Sequence, residues 1–257
     1  MSFAVPADAY DRFMGRYSQR LAPLLADFAG VRRGQHALDV GCGPGALTAE
    51  LVARLGADAV AAVDPSEPFV EECRASAPGA DVRAAPAEDL PFDDGTFDRA
   101  LSQLVFHFVQ DPAASVREMA RVTRPGGLVA SCVWDMTGGM TMIGAYWAAV
   151  SEAGVPGQSE IERFGGKPGQ LAGLWRDAGL RDVDDHAITV SSGYRDFDEL
   201  WGTFRGGVGP VGVHAESLEG DALDAVRETF RRKVGSPDGA FELTATAWFA
   251  AGTVSTR

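Results

Sequence analysis

Apolar and polar positions follow two different periods along the first half of the chain. Ala37-Leu38-Asp39-Val40 reads as a short strand that runs into Gly41-Cys42-Gly43-Pro44-Gly45. From Ala46 to Leu55 the apolar residues Leu47, Leu51 and Leu55 recur every four positions, which predicts a helix with one buried face. Ala59 to Val63 is apolar throughout, as a strand covered on both faces would be. Phe69 to Ser76 reads as a helix, and Val82 to Ala85 and Phe97 to Ser102 as strands, the latter after the turn Asp93-Asp94-Gly95. Asp111-Pro112 starts a helix over Ala113 to Val122, and Pro125-Gly126-Gly127 turns into a fifth strand, Leu128 to Trp134. Such strand–helix alternation predicts an α/β fold with a parallel, doubly wound sheet.

The second half is less regular. Helices are expected over Met140 to Ala153, Leu171 to Ala178, Phe197 to Phe204 and Leu218 to Val234. A loop spans Gly165 to Gly169, and the glycine-rich Gly206 to Gly212 reads as a hinge or a long loop. Val183 to Val190 and Phe241 to Val254 complete the strands, the last near the sheet edge. Without internal repeats or low-complexity linkers, 1–257 is expected to be a single domain. Its expected parts are an N-terminal helical lid (1–30), a cofactor-binding core (31–135) and substrate-side helices with the last two strands (136–257).

Composition narrows the partners. Lys plus Arg number 23 against 36 Asp plus Glu, a formal net charge of −13, which repels phosphate backbones and anionic membranes. Nucleic acid is therefore not an expected partner. The dense basic run Arg231-Arg232-Lys233 reads as a solvated helix end. Cys42, Cys73 and Cys132 form no close pair, so neither a metal site nor a disulfide framework is expected, in keeping with a reducing cytoplasm. The start of the chain carries no signal-peptide pattern, and no uncharged apolar run is long enough to insert in a membrane. Oligomeric state is left open.

Leu38 to Gly45 carries the strongest chemical signal. Alternate glycines let the backbone turn sharply and approach a ligand, and the helix after them offers free N–H groups. Gly41, Gly43 and Ala46 also fit a dinucleotide pattern with Asp64 roughly 20 residues on, so a nicotinamide-dependent dehydrogenase is a rival. Asp39 argues against it, because an acid beside the loop would repel a pyrophosphate and suit an ammonium and a sulfonium. Asp64 ends the second strand, where a carboxylate can accept both ribose hydroxyls. Its alternative is a helix cap, for which Ser66 before Glu67 is better suited.

Five ordered segments then resemble a class I S-adenosylmethionine-dependent methyltransferase of the small-molecule, menaquinone-methyltransferase-like type. They are Leu38 to Gly45; Val63-Asp64-Pro65-Ser66; Ala87 to Phe92 with Phe97-Asp98; Gln103 to Val109; and Arg124 to Gly127. Tyr10 to Ser18 resembles the opening helix of one branch. The chain departs from the family at Ala85-Pro86-Ala87, where an acid is common. The resemblance implies a Rossmann-like seven-stranded sheet, mostly parallel with an antiparallel last strand and helices on both faces. It also implies S-adenosyl-L-methionine as cofactor and a small-molecule acceptor. Gly41 and Gly43 would pack on its methionine part, Asp39 would hold the ammonium with the backbone at Gln103, and Asp64 would grip the ribose. Pro65 and Ser66 would border adenine, with Ala87, Glu88 and Leu90 on its other side. Arg16 would pair with the cofactor carboxylate, and Tyr10 or Tyr17 would cover the site, unless these belong to an ordinary surface helix.

His107, just beyond the fourth strand, is the candidate general base, with a partly buried packing role as its alternative. Acceptor-pocket candidates are Trp134, Met136, Met140, Met142, Tyr146 and Trp147, with Phe164, Trp201, Phe204 and His214 as a lid. A non-catalytic cofactor binder is the third reading of the same residues.

Overall fold

The structure, a computed structural model, describes residues 7–157, 159, 164–235 and 237–256. Five strands run parallel and adjoin one another: β1 (Ala37–Val40), β2 (Val60–Asp64), β3 (Asp81–Ala84), β4 (Phe97–Gln103) and β5 (Thr123–Trp134). β6 (Arg181–Tyr194) and β7 (Phe241–Thr253) complete a seven-stranded sheet of order β3-β2-β1-β4-β5-β7-β6. β7 is antiparallel to both its neighbours, as expected of the last strand.

Burial explains why the strands read so differently in sequence. β1 and β2 are buried at every position because helices cover both faces. The edge strands β3 and β6 are mostly exposed on at least one face. β6 therefore extends well beyond the apolar stretch 183–190, held by its ladder to β7. Likewise β5 begins at Thr123 rather than Leu128, because Pro125-Gly126-Gly127 is an irregularity inside the strand and not a turn before it.

One face of the sheet carries α2 (Arg16–Phe28), α3 (Ala46–Leu55), α6 (Thr141–Glu152), α8 (Phe197–Phe204), α9 (Gly209–Ser217) and α10 (Gly220–Lys233) in one core. α5 (Pro112–Val122) and α7 (Gln170–Asp177) cover the other face. α4 (Glu67–Ser76) packs through Val70 and Cys73 on Ala62 and Val82. The chain enters through α1 (Ala7–Tyr10) and a π-helical turn, Asp11–Gly15.

Two expectations are corrected here. The glycine-rich stretch is not loop throughout, since α9 starts at Gly209 and is pinned by buried Val211 and Ala215. Leu218 to Val234 is correspondingly not one helix, because α9 ends before Leu218 and α10 starts at Gly220. Among the described residues no helix is long and apolar enough to cross a membrane.

Candidate functional site

The C-terminal ends of the parallel strands open into a cavity of about 340 Å³, within the range of small-molecule sites. Gly41 and Gly43 form its edge where β1 gives way to α3. A methyl group on Gly41 would stand 2.7 Å from Val105 Cγ1, and its φ is +76°. Only glycine lets the loop after β4 come this close while the backbone turns. At Gly43 the space is open, and the φ of +50° is the constraint.

Asp64, at the end of β2, lines the cavity and is 8% exposed. Its Oδ2 accepts from the Gly43 amide and its Oδ1 from the Ser66 amide, each at 2.9 Å. Its pKa is raised by burial, which outweighs the opposing effect of the two amide hydrogen bonds. Each oxygen keeps a second acceptor position for a diol. Ser66 is the N-cap residue of α4 but makes no side-chain cap, and it does not line the cavity. Its contribution is the amide that orients Asp64.

Asp39 lies one level below the loop. It is 1% exposed, and its Oδ2 accepts from Thr48 Oγ1 at 2.7 Å. Its other oxygen, Oδ1, is buried without a partner, and so is Gln103 Oε1, whose amide Nε2 donates to Ser18 O at 3.0 Å. Asp39 pairs with Leu101 in the β1–β4 ladder, so strand alternation puts Asp39 and Gln103 on the same sheet face. Of the two, Gln103 lines the cavity, where its Oε1 is open to a ligand N–H, and Asp39 stays behind the lining. Burial pushes the Asp39 carboxyl up to about 7, while its Thr48 hydrogen bond opposes the rise.

Leu104, directly after Gln103, has φ +65°, a left-handed backbone that a leucine rarely adopts. Its amide donates to Cys132 O at 2.8 Å, holding the chain as it leaves β4.

Pro65, Ala87 and Glu88 also line the cavity rim. Glu88 Oε1 accepts from the Gln110 and Asp111 amides at 2.9 and 3.2 Å, which ties this rim to the start of α5. Leu90 is buried in the core beneath and does not line the cavity. Tyr10 reaches the cavity from α1 and packs edge-on against Phe69 at 5.8 Å. Burial raises its hydroxyl pKa. Tyr17 is fully buried instead, with its hydroxyl 3.1 Å from that of Tyr194.

Arg16 sits apart from the expected site residues. Its guanidinium bonds Glu199 and the carbonyl of Gly193 and lies over the Tyr194 ring at 4.3 Å. It does not line the cavity. Asp39 also differs from expectation, since it supports the loop from below rather than facing the cavity.

His107 lines the cavity with its Nδ1 2.8 Å from Phe164 O. A carbonyl only accepts, so Nδ1 carries the hydrogen and Nε2 is the basic atom of the neutral ring. Of the acceptor candidates, Trp134 and Met136 line the cavity, whereas Met140 and Met142 are core residues. Tyr146, Trp147, Phe204 and His214 form an aromatic cluster behind the wall, and Trp201 packs near Phe230. Phe164 contributes its carbonyl. Sequence reasoning missed Phe13, Met14, Ile143 and Val208 to Val211 as lining residues. The spacing of Tyr10, Phe13 and Met14 on one helical face was the one available signal.

Residues 38–131 match the family described as a methyltransferase domain. An uncharacterized methyltransferase of Mycobacterium bovis is 38% identical over 135 residues, covering 52% of this chain and 52% of that protein. The chain thus spans about half the length of the curated relatives it matches. The YcgJ protein of Bacillus subtilis superposes with a TM-score of 0.60 at 16% identity, covering 93% of this chain and 99% of that one. A geranyl diphosphate C-methyltransferase of Streptomyces coelicolor, solved with Mg2+, geranyl diphosphate and S-adenosyl-L-homocysteine, gives a TM-score of 0.54 at 18% identity, covering 93% of this chain and 80% of that one. The architecture is the Rossmann-like methyltransferase fold.

Proposed function

We propose that the protein transfers a methyl group from S-adenosyl-L-methionine to a small-molecule acceptor. The observation that carries this reading is Gln103 Oε1, an acceptor without a hydrogen-bond partner on the cavity lining beside Gly41 and Gly43, with the buried Asp39 carboxyl behind it. A cofactor with a positive methionine end answers that demand, and an anionic pyrophosphate does not.

Asp64 would hold the ribose through the oxygens already oriented by the Gly43 and Ser66 amides. Gly41 and Gly43 would face the methionine part, with Gln103 Oε1 accepting from its ammonium and the buried Asp39 carboxyl acting only through the field behind it. Pro65, Ala87 and Glu88 would flank adenine, and Tyr10 would cover the site. When bound, the cofactor supplies an electrophilic methyl on a good leaving group, so the protein's work is alignment and exclusion of water, worth about 7–11 kcal/mol in favourable cases. His107, oriented by Phe164 O, would take the acceptor's proton at Nε2, a contribution of about 10²–10⁴ in rate. In this reading 31–135 is the cofactor core, 1–30 covers it, and 136–257 shapes the acceptor side of a cytoplasmic enzyme of the menaquinone-methyltransferase-like type.

Calorimetry with S-adenosylhomocysteine and with NAD separates this reading from a dehydrogenase. Binding of the first alone is expected, and Asp64→Ala should weaken it more than tenfold, about 1.5–3 kcal/mol for lost charged hydrogen bonds. Binding of NAD alone would overturn the assignment. His107→Ala should lower kcat with the S-adenosylhomocysteine affinity unchanged, and an unaltered kcat would remove the base role.

A further inference from the structure

Cys42 and Cys73 stand far apart in sequence and meet in the fold. Cys42 lies between Gly41 and Gly43, which line the cavity, and Cys73 is a buried residue of α4. Both are free thiols, and both belong to one small buried cluster with Ala62, Val70 and Val82. Cys132 lies in a different core cluster. The Cys42 and Cys73 thiols hydrogen-bond to each other, which raises the pKa of Cys42 and lowers that of Cys73. Cys73 Sγ also donates to Thr48 Oγ1 at 3.4 Å, and that hydroxyl donates on to Asp39.

The glycine loop and α4 pack closely around this pair. A methyl on Gly45 would stand 3.2 Å from Cys73 Sγ and would clash with Ser76 Oγ. A second cavity, about 370 Å³, is lined by Pro44 and Gly45 of the loop and by Glu72 and Ser76 of α4, among others. It brings a small solute to the glycine beside the Cys73 thiol.

We propose that Cys42 and Cys73 are a redox pair: hydrogen peroxide closes them into a disulfide, and the closed form holds S-adenosyl-L-methionine more weakly than the dithiol. Cys73 attacks first, because the thiolate is the nucleophile and its contact with Cys42 favours that form. Its sulfur forms an S–O bond as the O–O bond breaks, and the released hydroxide takes up the proton that Cys73 gave up. The Cys42 sulfur then forms the S–S bond as the S–O bond breaks, and its proton leaves with the hydroxyl as water. Two thiols lose two electrons, the peroxide gains them, and two waters result.

A disulfide bond is shorter than a hydrogen-bonded thiol contact, so closure draws the loop and α4 together. The loop cannot follow freely, because the Gly41 and Cys42 amides donate to Val63 O and the Gly43 amide to Asp64 Oδ2. Closure therefore disturbs the contact through which Gly43 orients Asp64. Formation of the bond does not depend on the proposed function, and its effect on the cofactor rests on that reading.

The test treats the reduced protein with an excess of hydrogen peroxide. It reads the free thiols after denaturation, the non-reduced peptide map and the calorimetric affinity for S-adenosylhomocysteine. Free thiols should fall from three to one, and the map should join the peptides of Cys42 and Cys73. The oxidised protein should bind S-adenosylhomocysteine at least about fivefold more weakly, with recovery after dithiothreitol. Cys73→Ser should match the reduced parent within about twofold and keep that affinity under peroxide, and Cys73→Ala gives the same comparison where serine unfolds the cluster. Three thiols surviving peroxide, a cross-link through Cys132 or to a second chain, or an oxidised parent of unchanged affinity would each overturn the proposal. Failure of the reduced protein to bind S-adenosylhomocysteine would instead strike the proposed function. The thiol count and peptide map would still decide the pair, and hydrogen exchange over residues 41–45 its pull on the loop.

Discussion

Arg16 Nη2 lies 2.8 Å from Glu199 Oε1, joining residues 183 positions apart. The same guanidinium donates to Gly193 O at 2.9 Å and covers the Tyr194 ring, so α2 is bolted to the end of β6 and to α8. The contact holds the Glu199 carboxyl below the usual carboxylate range.

Removing this bolt should cost stability and spare the cofactor site. Arg16→Ala is expected to destabilise the fold by about 1–3 kcal/mol, because a partly buried pair, a hydrogen bond and a ring contact go together. Arg16→Lys should recover only part of that, since lysine lacks the planar fork. Denaturant melts measure the loss, and calorimetry should find S-adenosylhomocysteine affinity changed less than about threefold. A much larger loss of affinity would return Arg16 to the site.

Gly41→Ala tests the close approach of the loop after β4. Crowding against Val105 should cost about 1–3 kcal/mol, and the positive φ adds strain. Adding Val105→Ala should relieve the crowding but not the strain, so the double variant should be more stable than the two single losses predict. Strict additivity in urea unfolding would mean that the two side chains do not meet.

Asp39 couples pH to stability. Its carboxyl rises from 3.8 to about 7 on folding, chiefly through burial. The folded state then holds a proton that the unfolded chain releases, so this group favours folding below about pH 4, and its contribution declines as pH rises toward 7. Asp39→Asn should raise the melting temperature relative to the parent at pH 8, by a free energy on the order of a few kcal/mol, with little gain below pH 4. The same change should weaken S-adenosylhomocysteine binding, because the negative field behind Gln103 is gone. A stabilised variant with parental affinity would detach Asp39 from the ligand.

α6 and α9 are fastened to each other by a side-chain pair. Tyr146 Oη lies 2.7 Å from His214 Nδ1, and His214 Nε2 lies 2.8 Å from Pro156 O. Nε2 must donate to the carbonyl, so in the neutral ring Nδ1 accepts from the tyrosine. Tyr146→Phe should cost about 1–2 kcal/mol and speed hydrogen exchange in α9, which carries Val211 at the cavity. Unchanged exchange in α9 would show that packing alone holds the helix.

What the residues dictate locally was legible before any coordinates. Leu47 and Leu51 are buried on α3, whose bounds, Ala46 and Leu55, are those their spacing predicts. Asp64, Gly41 and Gly43 meet in space because strand–turn–helix geometry requires it of residues at adjacent strand ends. A repeating apolar pattern and a glycine turn depend on neighbours within a few positions, and the chain carries that information explicitly. Partner choice over long separations does not have this property. Arg16 reads as well toward a ligand as toward Glu199, and only the packing of α2 on β6 decides between them. Gly209 to Ser217 lacks the composition of a helix and forms one because Val211 and Ala215 are buried there. The exposed polar run of β6 is a strand because β7 supplies its hydrogen bonds, an energy that no periodicity along the chain records.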